Sequence, residues 1–308
     1  MEKKLPAYDA RQVMRRSDYE IAHKLDNYLM DVELHHHDFL EIYFLLSGDV
    51  TYFIESRIYN VRPGDVLLIS TNELHHAVIR PDTAPYERYV LWVDPVLLSN
   101  LSTSKTNLAK CFDKNGSRHH NLLHLSHFQR STVHAWMELI YQESDTQTAK
   151  ENYGSDLFEN SLLTSLLVLL NRAATDATDT EDEKESVTQG LVTEVVNYLN
   201  LHYSDTITLD QLSEQLFVSK FHLSHEFSKQ VGTSIYRYLQ KKRLQIACQL
   251  LRQGVRSNQA CISCGFGDYV GFYRAFRAEY GISPREYVMT LKRGQHMDLP
   301  TARKQMPH

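Results

Sequence analysis

The stretch Ala173–Ser186, AATDATDTEDEKES, holds small, polar and acidic residues and nothing a core could use. A chain interrupted in this way must bury its apolar residues separately on either side of the break. With 308 residues it has enough material for two cores. The expected division is a first domain over 1–172, a linker over 173–190, a second domain over 191–291 and a tail over 292–308. Charge divides the same way. From Leu191 to Gln295 there are 13 Lys/Arg against 8 Asp/Glu, a net of +5, and since the whole chain carries −5, the remainder carries −10. Only the C-terminal part is suited to meet phosphates.

Ahead of the break lie short β-like runs at Glu41–Leu46, Val50–Ile54, Ile58–Val61, Val66–Ile69, His75–Arg80 and Tyr89–Val93. They are separated by turn signals at Ser47-Gly48-Asp49, Glu55-Ser56-Arg57 and Pro63-Gly64-Asp65. Closely spaced strands with tight turns predict an antiparallel barrel or sandwich, and a small β-barrel can hold one ligand. The first twenty residues are polar, and Asp94–Leu125 reads as loops. Ser126-x-x-Gln129 is a capping box opening a helix through Val133, Trp136, Met137 and Ile140. A second helix over Ser155–Arg172 carries Leu162, Leu163, Leu166, Leu167, Leu169 and Leu170. That is more leucine than one narrow stripe requires, so the helix suits a second subunit as well as packing on the barrel.

Behind the break every pattern is helical. Leu191, Val192, Val195, Val196 and Leu199 mark one helix, and Thr208-x-x-Gln211 caps the next, with Leu209, Leu212 and Leu216 inward. Ser219 caps a third helix, in which Leu223 and Phe227 face the core. A longer helix over Thr233–Arg252 then leads to a second unit of the same kind. There Gly265 permits a tight turn, Asp268 caps a helix with Phe272 and Phe276 on one face, and Ser283-Pro284-Arg285-Glu286 opens the last helix. Two helix-turn-helix units on one spacer, in a net positive domain, predict DNA binding. Gly271 falls inside the second recognition helix, where glycine costs about 1 kcal/mol relative to alanine. The helix before it is thin in aliphatics, with Ser257 and Ala260, so the second unit is expected to be the weaker.

Other classes are disfavoured. The longest apolar run, Leu162–Leu170, is too short to span a membrane, and the start, MEKKLPAYDARQVMRR, lacks a signal-peptide core, so the expected location is cytoplasmic. Cys111 and Cys248 are isolated, while Cys261 and Cys264 share a helix as packing residues, so all four are expected to be free thiols.

His35-x-His37, Glu41, Gly48, Pro63-Gly64-Asp65 and His75 together resemble the two motifs of the cupin barrel. The resemblance implies that His35, His37, Glu41 and His75 are the candidates for a divalent metal, and imidazole with carboxylate suits one. The second motif departs from the cupin enzymes, with Ser70 and Asn72 where they usually carry proline and glycine. The residue types favour a sugar: Tyr43 and Trp92 offer flat apolar faces, and His37, Glu41 and His75 offer hydrogen bonds. No cofactor is expected.

In the second half, Arg243-Leu244-x-x-Ala247, Gly265-Phe266, Phe272, Phe276 and Gly281-Ile282-Ser283-Pro284-x-x-Tyr287 resemble the AraC/XylS family of bacterial transcription regulators over roughly Leu191–Leu291. The implied architecture is a cupin-like antiparallel β-barrel with two trailing α-helices, followed by an all-α domain of two helix-turn-helix units. The implied function is a sugar-responsive, DNA-binding activator acting as a homodimer through its N-terminal domain, with double-stranded DNA and RNA polymerase as partners. By position, Phe221, Ser224 and His225 of the first recognition helix and Tyr269, Val270 and Arg274 of the second meet base edges. Lys220, Lys229, Thr233 and Arg277 hold phosphates. A metal-dependent cupin enzyme and a ligand-independent DNA-binding protein are the alternatives.

Overall fold

A computed structural model describes residues 14, 16–26, 33–80, 85–113, 120–144, 153–176 and 190–292. Most of the expected linker, the tail beyond residue 292 and nearly all of the first sixteen residues lie outside that set. Two compact units are present, one built on Met14–Val32 and His37–Gln189 and the other on Gly190–His308 together with Glu33–His36.

The first unit contains two antiparallel sheets. One has the order β1-β7-β2-β5-β8, from Tyr19–Asp26 (β1), Tyr86–Val93 (β7), Leu40–Ser47 (β2), Val66–Ile69 (β5) and Leu122–Leu123 (β8). The other has the order β4-β3-β6, from Arg57–Val61 (β4), Val50–Ile54 (β3) and His75–Ile79 (β6). The expected barrel is therefore not closed: strand pairing among the described residues stays within each sheet. The chain changes sheet at turns that need unusual backbone, with Gly48 at φ 113° between β2 and β3 and Asn72 at φ 60° between β5 and β6. A register shift between Leu45 and Ser47 breaks the regular β2–β7 ladder just before the first of these turns.

β1 precedes the first expected strand run, Glu41–Leu46, and begins within the polar first twenty residues. It is an edge strand, paired from Tyr19↔Val93 to Asp26↔Tyr86, and only Tyr19 along it is buried. An edge strand is held by its ladder and needs no apolar alternation, so its sequence is silent. The expected loop Asp94–Leu125 also contains α1, Pro95–Leu101, capped by the Asp94 side chain accepting from Val96 N at 2.7 Å, and a 3-10 turn at Lys110–Phe112.

Two cores share the five-stranded sheet. Leu40, Ile42, Phe44, Tyr89, Leu91 and Val93 on one face pack with helices α2 (His127–Ser144) and α3 (Ser155–Asp176). Tyr43, Leu45, Leu67, Ile69 and Tyr86 on the opposite face pack with Tyr52, Tyr59 and Ala77 of the smaller sheet. In α3, Leu162, Leu163, Leu166, Leu167 and Leu170 are each 6% exposed or less and belong to the first core. The leucine surplus thus serves its own unit. The helix also continues through Asp176, into the stretch expected as linker.

The second unit consists of α4 (Leu191–Leu201), α5 (Leu209–Gln215), α6 (Lys220–Val231), α7 (Ile235–Arg252), α8 (Ser257–Ser263), α9 (Tyr269–Tyr280) and α10 (Pro284–Lys292). Its sequence-read caps form. Thr208 and Gln211 make the reciprocal capping box, Ser219 Oγ accepts from His222 N at 3.2 Å, and Ser283 Oγ accepts from Glu286 N at 3.2 Å. Leu244, Ala247, Cys248, Leu251, Ala260, Cys261, Cys264, Phe272 and Phe276 form the core around the second helix-turn-helix.

All four cysteines are free and buried. Burial pushes the Cys111 and Cys264 thiols up to about 12 and raises that of Cys261, so these groups stay protonated at neutral pH. Native protein at pH 8 should react with no equivalent of Ellman's reagent over minutes, and the denatured chain with all four. A fast-reacting native thiol would contradict this packing.

Candidate functional site

Alternation along β2 and β7 sends Glu41, Tyr43, Arg88 and Trp92 to the sheet face opposite the helices, and register sets Glu41 directly across from Trp92. Trp92 Nε1 donates to Glu41 Oε2 at 2.8 Å, and His37 Nε2 lies 3.3 Å from the same oxygen. The His37 ring stacks on Phe39 at 3.9 Å, with the His75 ring 4.9 Å away and that of Trp92 at 6.5 Å. Phe39 also meets Trp92 at 4.6 Å. Four of the five expected effector residues therefore form one cluster, in which His37, Glu41 and His75 are buried. The degraded second motif supports it. Asn72, in the left-handed region, replaces glycine and donates its N–H to His37 O at 2.7 Å, while Glu73 closes the turn by accepting from Ser70 N at 2.6 Å.

Tyr43, the fifth, lies in the core between the sheets. Its hydroxyl donates to that of Tyr86 at 3.0 Å, its ring is 4.9 Å from Tyr52, and burial holds its pKa well above the ordinary phenol value. Sequence inspection missed three neighbours: Phe39, Tyr86, and Arg88, whose guanidinium sits 3.8 Å over the Tyr86 ring and pairs with Asp26. A period-two signal was available, because Tyr86, Arg88, Val90 and Trp92 occupy every second position of β7.

Three histidines share a second property. The Nδ1 atoms of His35, His37 and His75 contact the carbonyls of Glu33, Phe39 and Glu73 at 2.8, 3.0 and 2.8 Å. A carbonyl only accepts, so each Nδ1 carries a proton and Nε2 is the ring nitrogen turned away from the backbone. Imidazoles oriented by backbone carbonyls are a donor set that fits a divalent transition metal.

In the second unit, α6 and α9 each bury one face and expose the other. Leu223, Phe227, Phe272 and Phe276 are 0% exposed, while Phe221 is 82%, Val270 57% and Tyr269 39% exposed. His225 and Arg274 are exposed, and Ser224 is half-buried. Of the expected phosphate residues, Lys220, Lys229 and Arg277 are exposed and Thr233 is half-buried. Lys220 pairs with Asp210, and Arg277 donates to Tyr273 Oη at 3.4 Å. Gly271 is not in the helix interior as expected: it is the third residue of α9, and its N–H is the one capped by Asp268 Oδ1, at 2.7 Å. Glycine in a capped first turn displaces no packing side chain.

A buried polar cluster on a sheet face, in one chain with paired, capped helix-turn-helix units, is the plan of a transcriptional regulator with a ligand-binding domain and a DNA-binding domain. The profile for an AraC-like ligand binding domain matches residues 21–167, and that for a helix-turn-helix domain matches 212–289. The chain belongs to the AraC family of transcriptional regulators. It is similar to the uncharacterized HTH-type transcriptional regulator YbfI of Bacillus subtilis (strain 168), at 27% identity over 76% of this chain and 78% of the relative. It is also similar to the HTH-type transcriptional activator RhaS of Klebsiella pneumoniae (strain 342), at 26% over 82% and 86%. Among solved structures, ToxT from Vibrio cholerae aligns over 90% of this chain and 99% of that one, at 11% identity and a TM-score of 0.34. Among the described residues, no helix is long and apolar enough to cross a membrane.

Asp268→Ala should destabilise the second unit by about 1 kcal/mol through loss of the cap, whereas Gly271→Ala should change stability by less. Urea unfolding followed by circular dichroism measures both, and a larger loss at Gly271 would contradict the assigned helix start.

Proposed function

We propose that this protein is a transcription activator that senses a sugar in its first unit and reads DNA with α6 and α9. The DNA reading is supported by the common design of the two helices, each apolar on its buried face and carrying aromatic, hydroxyl or basic groups on the other. Arg274 can fork onto a guanine, Ser224 and His225 can bond several bases, and Phe221, Tyr269 or Val270 can touch a thymine methyl. Lys220, Lys229, Thr233 and Arg277 fix register on phosphates. Activation rests on the name of the RhaS relatives and entails contact with RNA polymerase. Homodimerisation through the first unit draws its support from apolar side chains left exposed on α2 and α3, Phe128 at 76% and Leu157 at 70%.

A sugar is supported by the pairing of flat apolar faces, Phe39 and Trp92, with the acceptors His37, Glu41 and His75 in one cluster. The His37 and His75 rings, 4.9 Å apart with Glu41 beside them, favour a second occupant, a divalent metal.

Arg274→Ala should weaken binding to a selected operator by about 1–3 kcal/mol and relax preference at one base pair. Equal losses on specific and random duplex would remove its role in base readout. For the pocket, Trp92 emission should be followed in a Trp136→Phe background against a panel of pentoses and hexoses. One sugar should shift the emission irrespective of chelator, and Glu41→Ala should weaken that sugar by about 1.5–3 kcal/mol. A response abolished by chelator, restored by Zn²⁺ or Mn²⁺ and lost in His75→Gln assigns the cluster to a metal instead. Silence toward every sugar rejects the sugar.

A further inference from the structure

The two helix-turn-helix units are joined by more than the spacer helix α7. A Cβ built on Gly265, in the turn between α8 and α9, would stand 2.4 Å from Ser204 O, 2.6 Å from its Cα and 2.7 Å from its carbonyl carbon. Real Cβ atoms do not approach so closely, and because the obstacle is backbone no rotamer relieves it. Ser204 belongs to the turn between α4 and α5, in the first helix-turn-helix unit. The turn of the second reading head therefore rests on the main chain of the first.

The spacer grips the same turn. Arg243 Nε donates to Tyr203 O and a terminal guanidinium nitrogen donates to Asp205 O, both at 2.7 Å, so a single planar fork holds the carbonyls on either side of Ser204. One turn earlier on α7, Tyr238 Oη donates to Asn200 Oδ1 at 3.3 Å. Lys241 pairs with Glu279 of α9, and Leu244, Ala247, Cys248 and Leu251 enter the second core. A helix attached to one body at each end leaves a hinge at each attachment. Direct contact between the two bodies, closed over Ser204, removes that freedom.

We propose that the Tyr203–Asp205 turn, clasped between Arg243 and Gly265, fixes the distance and angle between α6 and α9, so that the protein accepts its two DNA subsites at one spacing only. The proposal rests on α6 and α9 being the helices that read DNA. Inserting one base pair moves the far subsite by about 3.4 Å and rotates it by about 35°. A clasped pair of heads cannot follow that change, and a hinged pair can. Gly265 and Arg243 are thus positioning residues for the length of the recognised site and touch no base.

The test begins with selection of a bipartite operator from random duplex DNA by the full-length wild type. Affinities are then measured on that operator and on versions lengthened or shortened by one base pair between the subsites. Wild type should lose about tenfold or more for either change. Gly265→Ala, and independently Arg243→Met, which keeps the stem but removes both donors, should bind the original operator several-fold more weakly. Their spacing penalty should fall to about threefold or less, with single-base preferences within each subsite unchanged. Gly254→Ala separates backbone strain from the clasp: Gly254 has φ +85° with nothing within 4 Å of the added carbon, so that variant should keep the wild-type spacing penalty. A full penalty in both Gly265→Ala and Arg243→Met, or a wild type that tolerates the insertions, overturns the clasp while leaving the reading helices in place. Failure of wild type to select any bipartite site overturns the DNA reading itself.

Discussion

The register between β2 and β7 is the constraint on which the first unit depends. It places Leu40 opposite Val93, Glu41 opposite Trp92 and Ile42 opposite Leu91. A slip of one residue would exchange the two faces of the sheet, sending the Glu41 carboxylate among the leucines of α3 and bringing Ile42 and Phe44 to the face of the polar cluster. Burying a carboxylate in such a layer without partners costs several kcal/mol. The helix-facing core thus enforces the geometry of the polar cluster on the other face.

That dependence explains what could be read from the sequence. Val50–Ile54 and Val66–Ile69 fall at the expected boundaries because period-two patterning and turn residues are local signals. The helix caps at Thr208, Ser219, Asp268 and Ser283 are equally local, and each forms. Sheet closure is not local, since pairing between strands distant in sequence leaves no mark on either. β1 shows this most clearly, being held by its ladder rather than its side chains. The cluster itself was legible by residue type, through histidine, glutamate and tryptophan, whereas Phe39 and Tyr86 resemble ordinary core and became visible only with register. The leucines of α3 left packing and a second subunit both open, because composition cannot show that a sheet lies on one side of the helix and α2 on another.

The two helix-turn-helix units follow one plan with different turns. After α8 the left-handed position is Gly265, and the missing side chain admits the Ser204 backbone. After α5 the corresponding left-handed residue is Phe217, at φ 54° and 95% exposed. A phenylalanine in that region carries roughly 1–3 kcal/mol of strain that glycine would not. Both residues sit in the turn between the two helices of a unit. Only one of them needs glycine for space as well as for φ, and adjacency in three dimensions is what distinguishes them.

The ion pair between Lys220 and Asp210 bears on the thermodynamics of DNA binding. A surface cation that docks on a phosphate normally displaces a condensed counterion from the duplex, and each such event adds about 0.9 to the slope of log affinity against log salt. Lys220 at the start of α6 already holds its own anion, on the helix before it. Transferring its ammonium to a phosphate leaves the Asp210 carboxylate beside the polyanion, where it gathers cations of its own. Under the proposed DNA reading, Lys220 would orient α6 while contributing little net ion release, and the salt dependence of the complex would understate the number of basic side chains on the backbone.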